Sequence, residues 1–128
     1  MKKIGLMLLF VAIGFSSFAQ NEVKPDSELK SPPTFIGGQE SMMKFVAENI
    51  KYPKEALESE TSGTVYTQLL INEKGKIIEV EILRGVSKTL DMEAIRVIEA
   101  MPNWKPAMDL DGNPVKSIAT LPIAFRMN

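Results

Sequence analysis

The sequence predicts a small α+β domain: a three-stranded antiparallel sheet with its helices on one face, in the order α-(α)-β-β-α-β. Three patterns carry that expectation. Apolar residues recur at helical spacing after Gln39 and again after Leu90. Two alternating runs, Thr64 to Asn72 and Ile77 to Arg84, flank a tight glycine turn, which is the signature of a hairpin. A third alternating run closes the chain and must join the same sheet to bury its apolar face.

The first helix rests on Met42, Met43, Phe45, Val46 and Ile50, with Ser41 as its candidate cap. It must stop before Tyr52-Pro53, because the residue before a proline is pushed out of the helical region. A short second helix is expected over Lys54 to Ser59, and Gly63 ends the helical half. In the first strand Val65, Thr67, Leu69 and Ile71 share one face; Thr64, Tyr66, Gln68 and Asn72 share the other. Glu73-Lys74-Gly75-Lys76 makes the turn, with Gly75 free to take positive φ. The returning strand sets Ile78, Val80 and Ile82 against Glu79 and Glu81.

Leu90 to Met101 follows as a helix whose stripe is Leu90, Ala94, Val97, Ile98 and Met101. Thr89 is the expected N-cap, Asp91 and Glu93 suit the positive end of the helix dipole, and Pro102 stops it. Trp104 to Ala107 is extended and Asp109 to Pro114 is a polar turn. The last strand spans Val115 to Met127, with Leu121, Ile123, Phe125 and Met127 on one face. A helix between two strands of one sheet favours a right-handed crossover, so the helices share a face, and the first strand is the candidate for the middle.

Two segments precede this domain, which is placed at 39–128. Residues 1–19 read as a secretory leader: Lys2 and Lys3, an apolar run from Ile4 to Phe15, then Ser17-Phe18-Ala19 before a cut between Ala19 and Gln20. The alternative is an uncleaved inner-membrane anchor facing the periplasm. Ile4 to Ala19 is 16 residues, two of them glycine, where a span takes about 20. Residues 20–38 hold Pro25, Pro32, Pro33, Gly37 and Gly38 among polar residues and read as a flexible tether. The expected location is the periplasm.

Composition removes whole classes of function. Without Lys2 and Lys3 the chain carries 13 basic against 16 acidic residues, a net charge of −3, which gives no electrostatic case for nucleic acid. With no cysteine there are no disulfides, thiolate chemistry or zinc–thiolate sites. With no histidine the commonest general base and metal ligand are missing too. The expectation is a protein that is not an enzyme and takes no cofactor and no metal.

The residues in order resemble a known family. Tyr52-Pro53 with Ala56, Gly63 opening a strand, Gly75 in the turn and Gly85 after the second strand are the first part of the series. Leu90-Asp91 with Ala94, Trp104-Lys105-Pro106-Ala107, Gly112-Asn113-Pro114-Val115 and Pro122 with Phe125 complete it. Together they resemble the C-terminal domain of TonB energy transducers from Phe35 to Met127. The resemblance implies a binding module that captures an extended segment, the TonB box, of outer-membrane receptors by strand addition, in energised transport across the outer membrane. It implies as partners those receptors or other envelope proteins, with an inner-membrane motor complex if the N-terminus is retained, and it places Asn49, Tyr52 and Pro53 beside the ligand. The alternative with the same fold is a non-energised periplasmic adaptor or regulator.

Each candidate has a plainer reading beside it. The last strand is the candidate edge for a partner, through Ser117, Ile118, Ala119, Thr120, Leu121 and Ile123, because Pro122 cannot donate to a ladder and so marks an edge. Equally, Pro122 serves to blunt an aggregation-prone edge. An exposed edge also leaves room for a homodimer. Pro53 sets the angle between two helices while Tyr52 packs. Trp104 and Phe125 are expected in the core. Asp109-Leu110-Asp111-Gly112 lacks the spacing of a calcium loop and reads as a solvated turn. The eight methionines are spread like core filler.

Overall fold

A computed structural model describes residues 23–127. The leader expected over 1–19, its cut after Ala19 and the alternative anchor lie outside the described residues. Among those residues, no helix is long and apolar enough to cross a membrane.

The elements are β1 (Leu29–Ser31), α1 (Gly38–Asn49), α2 (Lys54–Glu58), β2 (Gly63–Ile71), β3 (Ile77–Arg84), α3 (Lys88–Glu99), β4 (Ala107–Asp109), β5 (Pro114–Val115) and β6 (Ser117–Phe125). The main sheet is antiparallel, in the order β3-β2-β6, so the first strand of the hairpin is indeed central. A second, smaller antiparallel sheet, β1-β4-β5, was not expected. Among the described residues the fold is therefore α+β with two three-stranded sheets and three α-helices.

The core lies where alternation and helical period meet. Val65, Leu69 and Ile71 of β2 and Leu121, Ile123 and Phe125 of β6 are buried against Leu90, Ala94 and Ile98 of α3 and Ala56 of α2. Met42, Phe45 and Val46 of α1 pack on the same cluster half-exposed, so all three helices share one face of the main sheet. Leu70, which faces the other way, is fully buried as well. Trp104 is buried edge-on to Phe35 at 5.8 Å between ring centroids.

Four local expectations need correction. Residues 29–38 are not a free tether: β1 pairs antiparallel with β4, Thr34 and Lys105 exchange backbone hydrogen bonds at 3.0 and 2.7 Å, and Phe35 enters the core. Ser87 rather than Thr89 caps α3, its Oγ accepting from the Leu90 N–H at 3.3 Å, while α1 starts from Gly37 in the left-handed region with no side-chain cap. Ile78 leaves the core face, because the register slips between Leu70 and Ile71 and Ile77 takes the inward place opposite Ile71. The final run is two strands, β5 in the small sheet and β6 in the main one, and Met127 falls beyond β6 and is exposed.

Candidate functional site: an unpaired strand edge beside an apolar helix

Among the described residues the main sheet has two outer strands, and they differ. β3 is irregular: its register with β2 slips twice, pushing Ile78 and Leu83 outward. Bulges of that kind twist an edge and spoil it as a template. β6 pairs with β2 over nine consecutive residues, Gly63↔Phe125 to Ile71↔Ser117, without a slip. Its far side is a straight backbone edge.

The alternation of β2 tells which groups of β6 face outward. The Asn72 N–H donates to Lys76 O at 2.9 Å, so even-numbered residues at this end of β2 turn towards β3. Odd-numbered ones then turn towards β6, in agreement with Thr67 Oγ1 donating to Leu121 O at 2.7 Å. Leu121 stands opposite Thr67, and Pro122 stands opposite Tyr66 with its nitrogen turned away from β2, where a proline is tolerated. Ile118, Thr120, Pro122 and Ala124 therefore present their main-chain groups to the free side.

Beside this edge runs α1. None of its residues is fully buried, whereas α3 buries Leu90, Ala94, Val97 and Ile98. Part of its apolar stripe is left uncovered beside β6. A groove of about 350 Å³ results, lined by Met42, Met43, Val46 and Ile50 on one side and Leu121, Pro122 and Ala124 on the other. Met43 is 64% exposed, although its place in the stripe is apolar.

The expected site residues divide accordingly. Ile118 and Thr120 turn their backbone to the free edge, while Ser117, Ala119, Leu121 and Ile123 turn theirs to β2. Leu121 still lines the groove. Asn49 is used internally: its Nδ2 donates to Phe45 O at 2.8 Å and its own carbonyl accepts from Arg96 Nη2 at 2.8 Å. Tyr52 stacks edge-on with Phe125 at 5.7 Å and donates its hydroxyl to Thr61 O. Pro53 borders a shallow hollow with Met92 and Ile95 of α3, away from the β6 groove. None of these three is among the residues that line the groove. Trp104 and Phe125 are in the core.

Sequence reading missed Met42, Met43 and Val46 as site residues. Their spacing marks a helix face, and the only signal of a wider apolar surface is the pair of adjacent methionines, Met42 and Met43.

None of the residues that line the groove is charged. The shifted carboxylates lie elsewhere: the Arg96 guanidinium holds Glu93 below its ordinary range, helped by the Lys51 N–H and opposed by partial burial. Asp109 is held low by the Asn113 and Asp111 N–H groups at 2.9 Å, which use its carboxylate to close the β4–β5 turn.

The family described as Gram-negative bacterial TonB protein C-terminal matches residues 48–127. Among solved structures, the chain is similar to two NMR solution structures of the Helicobacter pylori TonB C-terminal domain, both at 17% identity over 68% of this chain. One has a TM-score of 0.53 with 78% of its chain covered, the other 0.52 with 90% covered. At that identity the likeness concerns the fold. No curated protein matches the chain.

Proposed function

The chain belongs to the TonB C-terminal family, and from that premise we propose that it is a binding domain of the periplasm that captures an extended segment of a partner by strand addition. The partner on this reading is an outer-membrane receptor, and the process served is energised transport across the outer membrane. The observation that carries the reading is the pairing of two unfilled surfaces: the regular edge of β6 and the apolar row of α1 beside it. An added strand gains main-chain hydrogen bonds from the first and buries alternate side chains on the second. Neither surface asks for a catalytic side chain.

The test is a titration with an extended receptor-derived segment, followed by amide exchange. Binding should slow exchange at Ile118, Thr120 and Ala124, whose N–H groups face outward, and leave β3 unchanged. Met43→Glu should weaken binding about tenfold, since it removes the larger part of a methionine burial of about 1.5–3 kcal/mol and puts a charge in its place. Protection appearing along β3 instead would assign the wrong edge.

A further inference from the structure

The donor row on the free edge has a gap, and the gap lies against the groove. Of the four outward-facing residues, Ile118, Thr120 and Ala124 offer both an N–H and a C=O, whereas Pro122 offers only its C=O. Pro122 is also one of the residues that line the groove, together with Met42, Met43 and Val46. The uninterrupted part of the backbone row, Ile118 to Thr120, lies outside the residues that line it.

We infer that Pro122 divides the captured segment into two parts, one held by main-chain hydrogen bonds and one held by apolar contact. The segment pairs by main chain along Ile118 to Thr120. At Pro122 its carbonyl finds no donor, so it lifts from β6 and lays its side chains on the methionine row of α1. The ligand class follows from this grip. It is an uncharged extended segment, with non-proline residues opposite Ile118 and Thr120 and apolar side chains at alternate positions where it meets α1. Methionine at two adjacent places on α1 lets that wall adapt to more than one apolar side chain. This inference rests on the reading of β6 as a strand-capture edge.

The experiment uses the full described domain and an end-capped peptide in which three valines alternate with threonines, with binding read by calorimetry and fold by amide spectra. Pro122→Ala restores the missing N–H and should tighten binding about three- to tenfold, the value of one net hydrogen bond. Its new amide should become protected on binding. Thr120→Pro removes a donor that faces away from β2 and should weaken binding at least about tenfold with the sheet intact. If Thr120→Pro and Met43→Glu both weaken binding while Pro122→Ala leaves it unchanged or weaker, the division at Pro122 is overturned and strand capture stands. If the peptide fails to bind, or Thr120→Pro and Met43→Glu leave its binding unchanged, strand capture itself fails and this inference falls with it.

Discussion

At the scale of single residues, the tightest constraint is Gly75. It closes the β2–β3 turn at φ 84°, its N–H donating to Asn72 O at 2.9 Å. It also touches the segment after α3: the Trp104 N–H donates to Gly75 O at 2.7 Å, and a Cβ on Gly75 would stand 1.7 Å from Trp104 O. Gly112 has nearly the same φ, 86°, with nothing within 4 Å of an added Cβ. The pair separates backbone preference from crowding. Gly112→Ala should cost about 1–2 kcal/mol, the left-handed penalty alone. Gly75→Ala should cost about 3 kcal/mol or more, since a main-chain oxygen cannot swing aside. Urea midpoints at equal m-value measure both. The glycine turn was legible in the sequence, because the hairpin pattern demanded positive φ there. The contact with Trp104 was not, because it joins residues 29 apart that no local pattern connects.

At the scale of elements, one carboxylate links the end of α1 to α3. Glu93 Oε2 accepts from the Lys51 N–H at 2.6 Å, just past the end of α1, and both its oxygens accept from Arg96. Arg96 Nη2 in turn donates to Asn49 O. The Glu93 side chain is only 11% exposed, so this clamp is partly shielded from water. Its carboxyl titrates lower in the folded chain than in the unfolded one. The clamp is therefore complete above the ordinary carboxylate range, near pH 4.3, and is lost as pH falls through the lower folded value. Glu93→Gln should lose about 1 kcal/mol at pH 7, and the difference between the variant and the parent should shrink towards pH 3. A difference that stays constant across that range would show that the carboxylate charge plays no part. The sequence placed Glu93 on α3 and assigned it to the helix dipole. Its partners are Arg96, one turn later, and the Lys51 N–H, 42 residues earlier; helical spacing reaches the first and says nothing about the second. The elements themselves were legible because their apolar periods are long; β1 and β4, three residues each, are too short to show a period at all.

At the scale of the whole molecule, the main question is where the domain begins. Pro32-Pro33 and Gly37-Gly38 punctuate the chain like a linker, and that composition placed the start at Gln39. The same residues have another physical use. Two prolines stiffen the segment that brings Thr34 to Lys105, and two glycines at φ 91° and 89° turn the chain sharply into α1. Between them Phe35 meets Phe45 at 5.9 Å and Trp104 at 5.8 Å between ring centroids, tying α1 to the segment after α3. Phe35 is therefore a joint between the helix that walls the groove and the body of the domain. Phe35→Ala should cost about 3–5 kcal/mol, as for other buried aromatic residues. It should also weaken capture of an extended segment, because α1 loses its anchor beside β6. A chain starting at Gly38 should show at least the same loss, since it lacks β1 and the Thr34–Lys105 bonds as well. Equal urea midpoints for the chains starting at Val23 and at Gly38 would return residues 23–37 to the status of a linker. A lower midpoint for both Phe35→Ala and the shortened chain would move the start of the domain back from Gln39 to β1 and set the groove's outer wall under the control of this segment.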